Sequence, residues 1–257
     1  MSYLFENCPE DKYKSNVRYL DASTLGMINQ IISSDKFLSW ATTSPEWFLE
    51  SVHNALSKQD KRIVGITGLA GSGKDSALKF MQICPVLSDL YRQIAFAEPL
   101  KEIARIVGFT SNQLTDRTLK EATDSFWGIS PRQFLQMCGT EMFRNVWRQD
   151  CWVEMARLKI RNMRNFEHDN RMVFITDVRF PNEAQMIKDE GGVIVKILRP
   201  SVDIGSTHAS EAQIKDIAAD LIIENDAPNA RAWSVKFTYN LVKFLKSDAF
   251  YYDTQEK

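Results

Sequence analysis

A glycine-rich segment is the part of the sequence whose residue types and spacing most directly indicate chemistry. The stretch Gly68-Leu-Ala-Gly-Ser-Gly-Lys-Asp-Ser76 fits the pattern GxxxxGK. Glycines let backbone N–H groups turn toward a phosphate, and a lysine at this spacing reaches the β and γ phosphates of a nucleoside triphosphate. The segment therefore predicts a phosphate cradle, whose nucleotide-binding candidates are Gly68, Ala70, Gly71, Ser72, Gly73, Lys74, Asp75 and Ser76.

The residues that follow the lysine are candidate Mg²⁺ ligands. In phosphate loops of this kind a Ser or Thr hydroxyl next to the lysine usually holds the metal. Here Asp75 takes that place and the hydroxyl follows at Ser76. Asp75 can hold Mg²⁺ directly or through water, or it can instead cap the helix that follows. Asp177 is a third candidate, because it ends a predicted strand and open α/β sheets bind ligands beyond the carboxyl ends of strands; its alternative role is to cap the next turn.

Further cations could neutralise phosphate charge. Phosphoryl transfer requires a protein to place two phosphates and to stabilise the moving group, so cations should converge on one point. Each cation can instead lie on a solvated helix face. The candidates are Lys101, Arg132, Arg144 and Arg179, and we expect Arg132 and Arg179 to act in catalysis with Lys74 and Asp177.

A predicted helix over residues 131–146 collects much of this chemistry. Residues three or four apart share a helix face, so Arg132, Gln133 and Gln136 can reach one ligand together. Aromatic rings nearby can stack on a base, although rings at helical spacing are more often core residues. The substrate-binding candidates are Phe96, Lys101, Arg132, Gln133, Gln136, Glu141, Arg144, Trp147 and Trp152.

The elements that must position these side chains alternate between strand and helix. Strands are predicted at residues 62–67, 92–96, 172–176, 193–198 and 220–224, and helices at 76–83, 99–107, 131–146, 151–163, 181–190 and about 230–245. Short apolar strands separated by helices favour an α/β fold with a five-stranded parallel sheet covered on both faces, hence a three-layer architecture.

The first 60 residues have a different pattern, with helical periodicity and no convincing strand. Apolar residues at 25–32 keep helical spacing, and a T-x-x-E signal at 43–46 starts a second helix that carries Trp47 and Phe48. We therefore predict a helical N-terminal extension over 1–60 and a main domain over 61–257. The extension either covers the main domain or binds a partner.

Several motifs together resemble the phage deoxynucleoside monophosphate kinases, a family of P-loop nucleotide kinases. The GKDS of the glycine segment resembles the family's GKD[ST] sequence. In the same order follow Ala95-Phe-Ala-Glu-Pro-Leu-Lys101, Ser130-Pro-Arg-Gln-Phe-Leu-Gln-Met-Cys-Gly-Thr-Glu141 and Thr176-Asp-Val-Arg-Phe-Pro-Asn-Glu183. The similarity covers about residues 61–245 and leaves the N-terminal extension unexplained.

The resemblance implies a P-loop kinase fold with lid and monophosphate-binding insertions, Mg-ATP as the donor and a deoxynucleoside 5′-monophosphate as the acceptor. It also places the loop that contains Asn225 near the adenine of the donor. Related enzymes often pair, so a homodimer is possible, and a phage origin would place the protein in the host cytoplasm. The lid is either residues 110–128 or residues 157–171.

Two other functions are compatible with the phosphate loop. A P-loop kinase could act on another small acceptor, such as dephospho-coenzyme A or a ribonucleoside monophosphate. A nucleotide-binding ATPase or switch could instead use its N-terminal helices to engage a protein partner. Competition between substrates distinguishes a kinase for another acceptor from a deoxynucleotide kinase. ATP hydrolysis without an acceptor would indicate the ATPase or switch.

Composition limits the partners and the compartment. The chain has 257 residues and a formal net charge of -1, so no overall field draws it to a nucleic acid polymer or an anionic membrane. Its start has acidic residues where a signal peptide needs a basic segment, and no apolar run is long enough to span a bilayer. The 4 cysteines form no CxxC pair, which argues against a zinc site or a disulfide framework. The sequence predicts a cytoplasmic protein.

Overall fold

A five-stranded parallel sheet forms the centre of the larger compact unit. The computed structural model describes residues 46–58, 62–200 and 213–253. The strands are β1 Ile63–Thr67, β2 Tyr91–Ile94, β3 Met172–Val178, β4 Val193–Leu198 and β5 Leu221–Glu224, in the spatial order β2-β3-β1-β4-β5. All neighbouring strands run parallel, with Val64 of β1 opposite Phe174 on one side and Val193 on the other. The predicted α/β fold and its five parallel strands are confirmed.

Helices connect the strands. They are α1 Glu46–Ser57, α2 Lys74–Ala77, α3 Lys79–Ile83, α4 Pro85–Ser88, α5 Glu98–Val107, α6 Ser111–Thr115, α7 Arg117–Glu121, α8 Pro131–Gln136, α9 Cys151–Asn165, α10 Pro181–Asp189 and α11 Ala230–Asp253. A π-helix spans Met137–Trp147 and a 3₁₀ turn spans Gln213–Asp216.

The central strand β1 is buried along its whole length, as its run of branched apolar residues predicts. Helix α10 packs closely over β1. A Cβ atom on Gly65 would lie only 2.6 Å from the side chain of Ile187 on this helix, so glycine permits the close approach. Strands β2 and β3 lie on one side of β1, and β4 and β5 lie on the other. The strand order therefore reverses at β1, the position where open α/β sheets bind ligands.

The smaller compact unit contains residues 46–58, 75–90 and 226–253 of the described chain. Helix α11 buries Trp233, Phe237 and Leu241, which stand at intervals of four and share one face. The ring of Phe48 on α1 lies 5.8 Å from that of Phe80 on α3, and Lys246 on α11 donates to the Ser51 hydroxyl of α1 at 2.7 Å. The predicted helix after the 43–46 start signal is confirmed.

Two predicted helices differ in the structure. The helix predicted at 76–83 is broken at Leu78 into α2 and α3. The helix predicted at 131–146 is α-helical only to Gln136 and continues as the π-helix, whose hydrogen bonds join residues five apart. Gly139 is a weak helix former, and its carbonyl accepts a hydrogen bond from the Trp152 indole at 2.9 Å. The side chains after Gln136 therefore do not continue the predicted α-helical face.

The predicted helix at residues 25–32 lies outside the described residues. Among the helices that the structure describes, none has the length and apolar character needed to cross a lipid bilayer.

Candidate active site

The glycine loop, residues 68–74, connects β1 to α2 and lies against the end of β4. Gly68 has a φ of +150°, and a Cβ atom there would lie 2.6 Å from the carbonyl oxygen of Ile197 and 2.7 Å from the Ser72 hydroxyl. Any larger residue at position 68 must therefore displace either the loop or the neighbouring strand. The backbone itself explains why the motif begins with glycine.

Lys74 places a positive charge over this loop. The residue is 8% exposed, and its ammonium donates to the carbonyl oxygens of Gly68 and Leu69, the latter at 2.7 Å. Within the described part of the chain, the hydroxyls of Thr67 and Ser72 are buried without a hydrogen-bond partner. Buried polar groups without partners are rare and costly, so their concentration beside the lysine suggests a polar ligand at this loop.

Two side chains from neighbouring strand ends brace the loop. Asn225, directly after β5, is buried and donates its side-chain amide to the Ser72 carbonyl at 2.8 Å. Its backbone N–H donates to the Leu198 carbonyl at 2.6 Å. Arg199, directly after β4, donates to the Gly71 carbonyl at 3.2 Å. Asn225 thus holds the loop backbone, whereas its predicted contact with the donor nucleotide stays a prediction.

Asp177 ties the end of β3 to the start of α5. One carboxylate oxygen accepts the backbone N–H of Phe96 at 2.8 Å and the other accepts that of Ala97 at 2.9 Å. Both amides precede the first turn of α5, where a negative charge also complements the helix dipole. Each carboxylate oxygen has a further lone pair that can accept from water, so a water-mediated contact with Mg²⁺ is compatible with this geometry.

A buried ion pair lies beyond Asp177. Glu183 is 2% exposed and accepts from the Arg144 guanidinium and from the backbone N–H groups of Arg179, at 2.7 Å, and Phe180, at 3.1 Å. The Arg144 guanidinium also lies 3.8 Å from the centre of the Phe180 ring. Burial raises the pKa of Glu183 to about 7. The positive charge of Arg144 opposes this shift, and the negative charge of Asp177 adds to it. The cluster fixes the turn that carries Arg179.

Arg132 and Gln133 lie at the start of α8. The side chain of Gln133 accepts from the Ser130 N–H at 2.8 Å and completes a capping box, which fixes the first turn of the helix. Arg132 is partly exposed and pairs with Glu121 at the end of α7. The Arg132 guanidinium is therefore accessible to a ligand, while Gln133 contributes to the helix start.

The remaining candidates differ in burial. Trp152 and Phe96 are 3% exposed, and the Trp152 ring packs 4.8 Å from that of Phe143. Both rings are core residues in this structure, and their predicted stacking role stays a prediction. Trp147 and Glu141 are exposed, and Lys101 and Gln136 are half-buried. Arg144 is occupied by Glu183, as described above.

The two candidate metal ligands that follow Lys74 belong to the smaller compact unit. Asp75 is exposed and Ser76 half-buried, both within α2. Their carboxylate and hydroxyl oxygens are the donor type that Mg²⁺ prefers. Among the described residues, no three His, Cys, Asp or Glu side chains cluster as a metal cage.

Sequence reasoning missed Arg199 and the contacts through which Glu183 holds the turn at Arg179. Arg199 follows β4 as Asn225 follows β5, so the rule that ligands bind beyond carboxyl strand ends could have found it. Of the two lid candidates, residues 157–165 lie in α9 and bury Ile160 and Met163, which argues against free movement there. Residues 110–128 contain the short helices α6 and α7.

Comparison with known proteins adds a family match. The family model described as deoxynucleotide monophosphate kinase matches residues 92–230. An Acanthamoeba polyphaga mimivirus protein whose name assigns it to the deoxynucleotide monophosphate kinases is 31% identical over 176 residues, which are 64% of this chain and 88% of that protein. The deoxynucleoside-5′-monophosphate kinase of Escherichia phage T5 is 26% identical over 235 residues, 65% of this chain and 91% of that protein. The deoxynucleotide monophosphate kinase of Enterobacteria phage T4 is 28% identical over 131 residues, 51% of each chain.

Proposed function

The chain belongs to the deoxynucleotide monophosphate kinase family, and on that premise we propose that it transfers the γ-phosphoryl group of ATP to a deoxynucleoside 5′-monophosphate, giving the diphosphate and ADP. The observation that carries the proposal is the glycine loop at the end of β1. The Lys74 ammonium contacts the Leu69 carbonyl of this loop, and the Asn225 side chain donates to its Ser72 carbonyl.

The residues suit this chemistry. The acceptor phosphate is itself a nucleophile as a dianion, so the reaction needs positioning and charge stabilisation rather than a general base. Lys74 exchanges its loop carbonyls for phosphate oxygens of ATP, and the backbone N–H groups of the loop complete the cradle. Bound Mg²⁺ would neutralise phosphate charge, and Asp177 would serve as an oxygen ligand to it, direct or through water. Asp75 and Ser76 stay candidate ligands predicted from the sequence.

The arginines divide between two tasks in this proposal. Arg132, accessible at the start of α8, binds the phosphate of the acceptor. Arg179 stabilises the moving phosphoryl group, because Glu183 and Asp177 fix the segment on both sides of it. An arginine in that position is worth about 10³ to 10⁵ in rate in related phosphoryl transfers.

A coupled ADP-release assay tests the proposal. Mg-ATP is combined separately with dAMP, dGMP, dCMP and dTMP, with their ribose counterparts and with dephospho-coenzyme A, and a well without acceptor is the blank. We expect ADP release that depends on a deoxynucleotide. ADP release confined to another acceptor would identify that compound, and not a deoxynucleotide, as the substrate. Equal ADP release in every well, including the blank, would indicate an ATPase.

Asn225→Ala is expected to raise the KM for ATP about 10-fold and to leave the KM for the acceptor nearly unchanged. The substitution leaves the buried Ser72 carbonyl without its partner, which costs about 1–3 kcal/mol and loosens the loop that holds the donor. Steady-state kinetics with each substrate varied in turn measures the effect. Asn112→Ala on the exposed face of α6 is the matched control, and an unchanged KM for ATP in Asn225→Ala would contradict the bracing role.

We further propose that two copies of the chain pair. We also propose that the chain divides into an extension over 1–60 and a kinase domain over 61–257.

A further inference from the structure

A rigid turn between α7 and α8 displays two aromatic rings. The carboxylate of Asp124 accepts the backbone N–H groups of Phe126 at 3.0 Å and Trp127 at 3.1 Å. Its other oxygen accepts from the Gln113 side chain at 2.9 Å. The Asp124 N–H donates to the Ile129 carbonyl at 3.0 Å, which closes the turn. The hydrogen bond from the Trp127 amide, and after it the one from Gln113, lowers the pKa of Asp124, because both stabilise the ionised carboxylate that accepts them.

The rings on this turn face solvent. Phe126 is 82% exposed and Trp127 is 46% exposed, and their rings form an edge-to-face pair with centroids 4.9 Å apart. Five hydrogen bonds hold this turn, including one from the Gly128 N–H to the Asp124 carbonyl, and none of them needs an aromatic side chain, yet the turn presents two large rings. Aromatic residues that are held rigidly and left exposed are suited to stack on a planar ligand.

The turn is anchored to the segment that begins at Asp177. Helix α8 follows the turn, and Phe134 on α8 packs 5.2 Å from Phe109. Phe109 belongs to a small core with Ala104 of α5 and Leu114 of α6. Helix α5 begins at the two amides that Asp177 holds. The aromatic turn is therefore fixed, through α5 and α8, to the carboxyl end of the sheet.

Arg132, a cation that can bind a phosphate, follows the aromatic turn closely in the sequence. Arg132 follows Trp127 by five positions, at the second residue of α8, and its pairing with Glu121 leaves the guanidinium partly exposed. A nucleoside monophosphate combines a planar base with a phosphate dianion. The turn offers an aromatic face for the base, and the start of α8 offers a guanidinium for the phosphate.

We propose that the aromatic turn, Phe126 and Trp127, is the platform on which the base of the acceptor nucleotide stacks while Arg132 holds its phosphate. This inference rests on the proposed function and assigns the base-binding role that Trp152, buried in the core, cannot fill in this structure.

Trp127→Ala tests the inference. Stacking on an aromatic ring contributes about 1–3 kcal/mol per base, so the KM and the Kd for dGMP and dTMP should rise about 10-fold while the KM for ATP stays within about twofold. Trp127→Phe should keep most of the affinity. Phe166→Ala removes another exposed ring, 78% exposed after α9, and should change none of these constants.

A ligand without a base sharpens the test. Deoxyribose 5-phosphate should inhibit the wild type and Trp127→Ala with the same constant, because neither can stack on it. An unchanged KM for dGMP in Trp127→Ala, in a wild type that phosphorylates dGMP, overturns the inference alone. So does a change in sedimentation with unchanged nucleotide affinity, which would make the turn a contact between protein copies. A wild type that neither binds nor phosphorylates any deoxynucleoside monophosphate overturns the proposed function as well.

Discussion

Lys74→Ala is expected to lower kcat at least about 100-fold while the protein stays folded. The Lys74 ammonium lies against the start of the glycine loop, where it contacts the Gly68 and Leu69 carbonyls. Charge develops on the moving phosphoryl group in the transition state, and removing one preorganised donor to such charge costs about 10² to 10³ in rate. The coupled ADP-release assay with saturating acceptor measures the loss.

The matched control for this variant is Lys79→Ala. Lys79 lies five positions further along the chain, on the exposed face of α3, so its removal changes the net charge equally without touching the loop. Circular dichroism and thermal melting should show the same fold in both variants. Wild-type turnover in Lys74→Ala would disprove the assignment of the glycine loop as the donor site.

The sheet and the loop were predictable because their signals are local. Most of the strands are short apolar runs between helix or turn signals, and the predicted and observed bounds of β4 agree at both ends. The glycine loop has a motif in which both residue type and spacing are constrained by backbone geometry, as the close contacts at Gly68 show. Local patterns of this kind need no knowledge of which strands become neighbours.

Roles that depend on distant partners were not predictable. Nothing in the sequence near Asp177 indicates that its carboxylate accepts the amides of Phe96 and Ala97, some 80 positions away. Arg144 and Glu183 are likewise 39 positions apart, so each resembled an independent polar residue. The indole ring of Trp152 is of the type that stacks on a base. Its burial, however, follows from the packing of α9 against the π-helix, which the sequence does not reveal.

Glu183→Ala is expected to destabilise the protein by about 3–5 kcal/mol and to lower kcat. The substitution leaves the Arg144 guanidinium buried without its counterion and removes the acceptor of two backbone N–H groups. Those amides belong to the turn that carries Arg179, and a small misplacement of a positioning group can cost about 100-fold in rate. Urea unfolding at pH 8 and single-turnover kinetics measure the two effects.

A second variant separates stability from positioning. Replacing a buried ion pair by apolar residues of similar volume is often neutral or stabilising, so Glu183→Leu combined with Arg144→Met should recover most of the stability. It should not recover kcat, because no acceptor then holds the Arg179 and Phe180 amides. Recovery of both quantities would show that the pair acts on folding alone.

The pH dependence gives an independent signature of the same carboxyl. Burial raises the pKa of Glu183 to about 7 from 4.5, so the folded state retains a proton that the unfolded state loses between these values. The contribution of this group to the free energy of unfolding is therefore greatest below pH 4.5, falls as the pH rises to about 7, and is constant above it. Glu183→Gln has no such titration, so the stability of the wild type relative to this variant should fall across that window. An unchanged difference would mean that Glu183 is ionised throughout.

Activity should have the opposite dependence on pH, because only the ionised carboxylate can accept from Arg144 and both amides at once. We expect kcat of the wild type to rise through about pH 7 as Glu183 ionises. The acceptor phosphate also titrates, near pH 6, and it does so equally in every variant. The profile of Glu183→Gln therefore isolates the contribution of Glu183: its acidic limb should retain the phosphate titration and lose the one near pH 7. Profiles that superimpose after scaling would exclude Glu183 as a positioning residue, since a change in stability alone leaves the titration of folded enzyme unaltered.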